Sequence, residues 1–130
     1  MVALSRPDAT VQASVVNAGV LEHPVSGASV VGFVTYGRAK LAQLRARHLA
    51  TLTFRAGWEW VSVEGACDIA GPDDPLEGLA SSAVPQLLRD VFSAAGGRHD
   101  DWDAYDRAMA DQRRAAVLVV PARIYSNPGS

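Results

Sequence analysis

The chain has very little lysine, very little cysteine and no long apolar run. Lys40 is the only lysine and Cys67 the only cysteine among 130 residues. A single cysteine excludes an intramolecular disulfide and favours a reducing, cytoplasmic environment. No apolar stretch approaches the roughly 20 residues that span a bilayer, and no basic-then-apolar leader is visible. Neither membrane insertion nor secretion is therefore expected.

The net charge is also small, with a formal value of -2 at pH 7. A nucleic-acid-binding domain is usually basic over a whole face, so nucleic acid is not an expected partner. Hydrophobic residues make up 48% of the chain and charged residues of both signs 20%. This balance predicts a folded globular protein, organised as a single domain over residues 1–130.

Acidic residues are missing from one long internal stretch. Between Glu22 and Glu59 there is no Asp or Glu, yet five cations lie there: Arg38, Lys40, Arg45, Arg47 and Arg55. They begin where the β-prone run 30–34 gives way to Gly37. A helix start offers free N–H groups and the positive end of the helix dipole, which favour an anion. The segment 37–40 is therefore the best candidate phosphate site, with a solvated basic helix face as the alternative.

Hydrophobic periodicity predicts elements in the order β, β, α, β, β, α, α, β. The predicted strands cover 11–21, 29–36, 49–55, 58–70 and 115–125, and residues 2–4 begin inside a strand or just before a hairpin. The predicted helices cover 38–48, 84–95 and a third that starts near Asp100 and ends with Arg113 and Arg114. Short connections with strands at both ends predict a mainly β fold, a small barrel with helices on its outside.

Two patterns in the strand 58–70 bear on function. Alternation places one set of residues on a single face: Val61, Val63, Gly65, Cys67 and Ile69. Trp58 and Trp60 are two residues apart and are predicted to point the same way. Core or interface packing is the plain interpretation of this pair, and a wall against a flat ring or a partner subunit is the functional one.

No residue set for metal binding or for nucleophilic catalysis is visible. The three histidines have no ligand spacing relative to one another or to Cys67, so no metal site is expected. The serines lack a nucleophile-elbow context. A phosphate cradle with nearby aromatics but no acid–base set is typical of an enzyme whose chemistry is carried by a cofactor. It is equally typical of a binding protein without catalysis.

Four segments together resemble the pyridoxamine 5′-phosphate oxidase-like split β-barrel family, and within it the actinobacterial branch that uses the deazaflavin coenzyme F420. They are residues 11–17 (VQASVVN), 36–45 (YGRAKLAQLR) running into 50–52, 58–65 (WEWVSVEG) and, more weakly, 101–105 with Arg113, Arg114 and the strand to Tyr125. The resemblance implies a six-stranded split β-barrel that forms an obligate homodimer, with cofactors at the interface. The chain lacks the N-terminal helix usual in the family and the C-terminal segment of true pyridoxamine phosphate oxidases, so vitamin B6 oxidation is not expected.

The resemblance also implies which residues bind the cofactor. Arg38 and Lys40 would bind its phosphate, with Gln43 near the same site. The other implied site residues are Gln12, Ser14 and Asn17 in the pocket, Trp58 and Trp60 toward the cofactor of the other subunit, and Arg113 at the cofactor tail or the interface.

The expected reaction is hydride transfer from reduced F420 to an unsaturated or quinone-like small molecule. The basic stretch that includes Arg45, Arg47 and Arg55 suits the glutamate-bearing tail of F420. An FMN-dependent oxidoreductase of the same fold and a non-catalytic flavin-binding or F420-binding protein are the alternatives. No catalytic residue is identified, and Tyr36 is a weak candidate for a proton donor.

Overall fold

The computed structural model describes residues 1–35 and 38–127, which form one antiparallel sheet and three α-helices. The strands are β1 (Val2–Ser5), β2 (Val11–Ser14), β3 (Ala18–Glu22), β4 (Ser29–Thr35), β5 (Leu49–Ala56), β6 (Glu59–Ala70) and β7 (Ala115–Ser126). The helices are α1 (Arg38–Arg47), α2 (Val84–Ala94) and α3 (Trp102–Asp111). The strand order across the sheet is β2-β1-β5-β6-β7-β4-β3.

The prediction of a mainly β fold with three helices is confirmed, but the predicted count of six strands is wrong. The described residues form seven strands because the predicted strand 11–21 divides in two. Its first part, β2, pairs with β1, and its second part, β3, pairs with β4. These partners lie far apart in the sheet, so the chain leaves the ladder at 15–17 to cross between them. β2 and β3 are the two end strands, and no pairing joins them within the described residues.

The sheet has a separate hydrophobic core on each face. On the inner face, side chains from six of the strands meet Leu41 and Leu44 of α1. On the outer face, α2 packs on β3, β4 and β7, where Leu88, Val91 and Leu118 are buried, and α3 packs on α2. Tyr105 of α3 joins this outer core and donates a hydrogen bond to the Leu88 carbonyl at 3.0 Å. Burial of apolar area on both faces is the main stabilising term for such a layered fold.

Helix α1 ends at a residue in an unusual backbone conformation. Leu41 and Leu44 are buried as their helical spacing predicted, but His48 is exposed and lies outside the helix. The φ angle of His48 is 51°, in the left-handed region that usually ends helices with glycine. Its N–H donates to the Leu44 carbonyl at 2.7 Å, and its own carbonyl accepts from the N–H of Cys67 at 2.7 Å. His48 thus fixes the end of α1 to β6.

Strands β6 and β7 pair along almost their whole length, with one irregularity. The register shifts between Glu64 and Gly65, so that Glu64 faces Arg123 whereas Gly65 faces Pro121. Ala122 is therefore an extra residue of β7, a β-bulge. Below the bulge, odd-numbered residues of β7 face the inner core. Beyond it, the even-numbered Ile124 pairs with Val63 on that face.

Helix α3 begins later and ends earlier than its charged residues predicted. Asp101 caps it, with its side chain accepting a hydrogen bond from the N–H of Ala104 at 3.0 Å. The helix ends at Asp111, so Arg113 and Arg114 follow it rather than form its last turn. Among the described residues, no helix has the length and apolar character needed to cross a membrane.

Candidate cofactor-binding site

Lys40 lies in the first turns of α1, at the end of the sheet where β4 finishes. Gly37 of the predicted phosphate site and Tyr36, the candidate proton donor, lie outside the described residues. The Lys40 side chain is partly buried, and this burial lowers the pKa of its ammonium group. Within the described part of the chain, no carboxylate pairs with it. A desolvated cation without a counter-charge gains free energy when an anion binds beside it.

Two other arginines of the predicted site are already paired with carboxylates. Arg45 donates two hydrogen bonds to Asp74, from Nε at 2.8 Å and from Nη2 at 2.7 Å. Arg113 donates two to Asp73, one of them from Nε at 2.9 Å. The pKa of each guanidinium is raised, first by its hydrogen bonds to the partner carboxylate. These arginines fasten the 71–75 loop to α1 and to the start of β7, and a cofactor would have to compete with Asp73 and Asp74 for them.

The basic residues of α1 divide between its two flanks. Residues three, four and seven positions apart lie on the same side of a helix. Lys40, Gln43 and Arg47 therefore share one flank, and Arg38 and Arg45 share the other, which faces Asp74. Lys40 and Gln43 are partly buried, whereas Arg38 and Arg47 are exposed. Arg38 and Lys40 share only the first turn of the helix, where a phosphate would meet both.

The predicted pocket residues on the second strand face the inner side of the sheet. Gln12 pairs with Leu4 and Ser14 pairs with Val2, and residues opposite each other in an antiparallel pair share a face. Gln12 and Ser14 are partly buried, on the face against which α1 packs. Asn17 is exposed in the crossing between β2 and β3.

Trp58 and Trp60 lie at the other end of the sheet from the start of α1. Thr35, just before α1, is level with Ala70 through β7, whereas Trp60 is at the opposite end of β6. A straight strand of that length spans roughly 35 Å. The structure therefore does not bring either tryptophan together with Lys40 in one chain. The same holds for Arg55, which pairs directly with Trp60.

The two tryptophans do not lie in one strand, which corrects the prediction. Trp58 lies in the β5–β6 turn and is 90% exposed, whereas Trp60 lies within β6. Asn127 fixes this turn to the end of β7. Its Oδ1 accepts from the N–H of Trp60 at 2.9 Å, and its Nδ2 donates to the Trp58 carbonyl at 2.7 Å. Trp58 is thus an exposed aromatic side chain on a tethered turn.

The inner face opens to solvent beside this turn. A cavity of about 430 Å³ has a lining that is almost wholly apolar: Val20, Ser29, Val30, Val31, Phe54, Val61, Val63, Pro121 and Ile124. Val20 and Ile124 remain 67% and 64% exposed although they share a face with the core. Contiguous exposed apolar surface of this kind marks sites for flat ligands or for other protein surfaces.

Sequence patterns did not reveal the polar pair that joins Glu64 to Tyr125. The Tyr125 hydroxyl donates to Oε1 of Glu64 at 2.7 Å, and this bond raises the pKa of Tyr125. The pair depends on the bulge at Ala122, which no local pattern indicates. The presence of glycine at the neighbouring position 65 has a steric reason, because a Cβ at Gly65 would collide with the Val120 carbonyl.

No second type of reactive centre is found in the part of the chain that the structure describes. Groups of three or more His, Cys, Asp or Glu side chains that could hold a metal ion are absent from these residues. Cys67 is buried, and burial raises the pKa of its thiol to about 12. A thiol in this state is not a nucleophile at neutral pH.

Comparison with known proteins shows the fold. No family model matches the chain. A conserved hypothetical protein from Mycobacterium tuberculosis has a similar structure, with a TM-score of 0.67 and 19% identity over 96% of this chain and 73% of that one. A pyridoxamine 5′-phosphate oxidase-related, FMN-binding protein from Nostoc punctiforme gives a TM-score of 0.61 and 13% identity over 96% and 72%.

A protein of unknown function from Agrobacterium tumefaciens is also similar, with a TM-score of 0.63 and 12% identity over 99% of this chain. This chain spans only 50% of that protein. The fold is that of the pyridoxamine 5′-phosphate oxidase-like proteins. The fold predicted from the resemblance is thereby confirmed.

Proposed function

We propose that this chain is an F420-dependent oxidoreductase whose cofactor phosphate binds at Lys40 and Arg38. The single observation that carries the proposal is the partly buried ammonium group of Lys40, which has no carboxylate partner among the described residues, whereas Arg45 on the same helix has one. Buried charges are normally paired. An anionic group of a ligand would supply the missing partner.

The proposed assembly is a homodimer of single-domain chains in the cytoplasm. Within one chain, the apolar opening with Ile124 and the exposed Trp58 lie far from Lys40. A second copy can bring its own Trp58, Trp60 and Arg55 to the helix α1 of the first. The cofactor ring would then lie at the interface, where Gln12, Ser14, Asn17 and Gln43 line its pocket and Arg113 lies toward the tail.

In this arrangement the cofactor supplies the hydride, and the protein binds, orients and shields it. Lys40 and Arg38 hold the phosphate, and the apolar side chains at the opening exclude water from the reacting face. The acceptor would be an unsaturated or quinone-like small molecule. No side chain is assigned as the proton donor.

An FMN-dependent oxidoreductase is the second candidate, and one observation favours it. The cations that suited the glutamate tail of F420 are fewer than the sequence indicated, because Asp74 neutralises Arg45. FMN carries a single phosphate and requires only Lys40 and Arg38.

Titration of the purified protein with F420, FMN and FAD in parallel, at two salt concentrations, tests the proposal. Binding of F420 with a loss of affinity at high salt is expected, because phosphate contacts with exposed cations are screened. Preference for FMN would replace the first candidate by the second. Binding without turnover of any quinone or enone acceptor would indicate that the chain is a non-catalytic cofactor-binding protein. Failure of all three to bind would overturn the proposal.

A further inference from the structure

A cavity of about 290 Å³ lies on the outer side of the sheet, away from α1. It is bounded by the 71–85 segment, by α2 and by α3. Its walls are mainly aliphatic, with Leu76, Leu79, Val84, Leu88 and Met109 among them. Ligand pockets typically begin at about 300 Å³, so this cavity suits only a compact ligand.

The walls of this cavity are fixed before any ligand binds. Gly71 and Asp74 exchange backbone hydrogen bonds of 3.0 and 3.2 Å, which closes the loop on itself. Pro72, Pro75 and Pro85 lie in the lining, and a proline ring locks its own φ angle. The ion pair between Asp73 and Arg113 holds the same loop to the start of β7. A preformed site binds with less loss of conformational entropy than one that must be ordered.

One ionised group lies at the edge of the cavity, the carboxylate of Asp106. Arg89 donates to both of its oxygens, at 2.9 and 2.5 Å, and keeps the pKa of Asp106 below its usual value. Each carboxylate oxygen has a further lone pair and can accept another hydrogen bond. Asp103 adds a second negative charge 3.9 Å from the same guanidinium.

The charges around the cavity therefore select between ligand classes. No lysine or arginine is among the described residues that line it, and Asp106 is the charged group that a phosphate or carboxylate would meet in this lining. Arg89 pairs with both Asp106 and Asp103, so these three groups together carry a net negative charge. A ligand with an apolar body and one ammonium group satisfies both the walls and this edge.

We propose that this cavity is a binding site for a small apolar amine, separate from the cofactor site on α1. The apolar body occupies the space between Leu79, Leu88 and Met109, and the ammonium group donates to Asp106. The proposal does not rest on the identity of the cofactor, since the cavity and α1 lie on opposite faces of the sheet.

The two methionines of the chain give a direct measurement. Met109 lines the cavity, whereas Met1 lies at the N-terminus, where its ammonium group donates to the Thr53 carbonyl. Protein labelled with ¹³C at the methionine methyl groups is titrated without cofactor, using 2-phenylethylamine, 2-phenylethanol and 3-phenylpropionate. The expected result is a saturable shift of the Met109 signal only. The amine should bind about tenfold more tightly than the alcohol, and the carboxylate should bind most weakly.

Two variants that block the cavity edge test whether the Met109 shift comes from binding inside the cavity. Ala110 and Ser81 are exposed residues at the cavity edge, so Ala110→Trp and Ser81→Phe should abolish the Met109 shift while the fold is retained. Ala13→Trp, at an exposed position of β2, is the matched control and should leave it unchanged. Asp106→Asn should remove the preference for the amine over the alcohol. An unshifted Met109 with all three probes, equal binding of the carboxylate, or an undiminished shift in both blocked variants would each overturn the proposal.

Discussion

Asp74 accepts two hydrogen bonds from the guanidinium of Arg45, at 2.8 and 2.7 Å, across 29 residues of sequence. This bidentate pair connects the helix that carries Lys40 to the loop that precedes α2. The side chain of Asp74 is 13% exposed and that of Arg45 is 43% exposed. The pair is thus neither fully solvated nor buried, and solvent screens part of its attraction.

The Arg45–Asp74 pair should show a measurable coupling energy. In a double-mutant cycle with Arg45→Gln and Asp74→Asn, we expect a coupling of about 1 kcal/mol in the free energy of unfolding, near the upper end for partly exposed pairs. Urea denaturation of the four proteins provides the values. The matched control is Arg47→Gln combined with Asp74→Asn, which should give no coupling. Equal coupling in the two cycles would contradict a specific pair.

Lys40→Ala should weaken cofactor binding by about 1.5–3 kcal/mol, the usual scale for a hydrogen bond to a charged group. The fold should be retained, because the ammonium group contributes no ion pair within the described residues. The dissociation constant for F420 or FMN, whichever the wild type binds, gives the result. Arg107→Ala removes an exposed positive charge from α3 and is the control for net charge. An unchanged affinity in Lys40→Ala would reject the phosphate assignment.

Ile124→Asp should dissociate the proposed homodimer. Ile124 is 64% exposed beside an apolar opening, and a carboxylate placed there would have to be desolvated in an interface. Light scattering coupled to size-exclusion chromatography should show a dimer for the wild type and a monomer for the variant. Val11→Asp, at a 60% exposed position of β2, should remain dimeric. A wild-type monomer at micromolar concentration would rule out the dimer.

Gly65→Ala should destabilise the fold by at least about 3 kcal/mol, the upper range for overpacked positions. A Cβ at Gly65 would collide with the backbone carbonyl of Val120, which cannot move without breaking the β6–β7 ladder. Gly27→Ala is the control, since nothing lies within 4 Å of its Cβ and only its φ of 74° opposes the substitution. That cost should be about 1 kcal/mol. Similar losses in both variants would contradict the steric argument.

Acid should destabilise the protein partly through Asp106. Arg89 holds the folded-state pKa of Asp106 below its unfolded value of about 4. Its stabilising contribution is therefore fully present above that pH and is lost as the pH falls through the folded-state pKa. Arg89→Gln should make the free energy of unfolding less dependent on pH below about pH 4. Arg98→Gln, at an exposed position, should keep the wild-type slope, and an identical slope in Arg89→Gln would refute the assignment.

The sequence predicted well where a pattern is local and uninterrupted. The alternation of Val61, Val63, Gly65, Cys67 and Ile69 on one face is confirmed, because β6 runs through the sheet without a bulge of its own. The burial of Leu41 and Leu44 followed from helical spacing in the same way. Local period and face are set by geometry that every residue of an element shares.

The sequence predicted poorly where distant segments meet. The stretch without carboxylates suggested a run of free cations, but Asp74 lies in a later loop and pairs with Arg45 of that stretch. The count of nearby acidic residues along the chain says nothing about such tertiary partners. The division of the strand 11–21 likewise depends on β1 and β4, which are its partners and lie far apart in the sheet.

The bulge at Ala122 determines on which face of the sheet each side chain at the end of β7 lies. If Ala122 instead paired with Glu64 and the ladder continued without a bulge, the pairing beyond Glu64 would shift by one residue, and the side chains of 123–126 would exchange faces. Tyr125 would then turn away from Glu64, and Ile124 would leave the apolar opening. Ala122, a small residue without polar side-chain atoms, thereby determines both the hydrogen bond of Tyr125 and the surface offered to a second subunit.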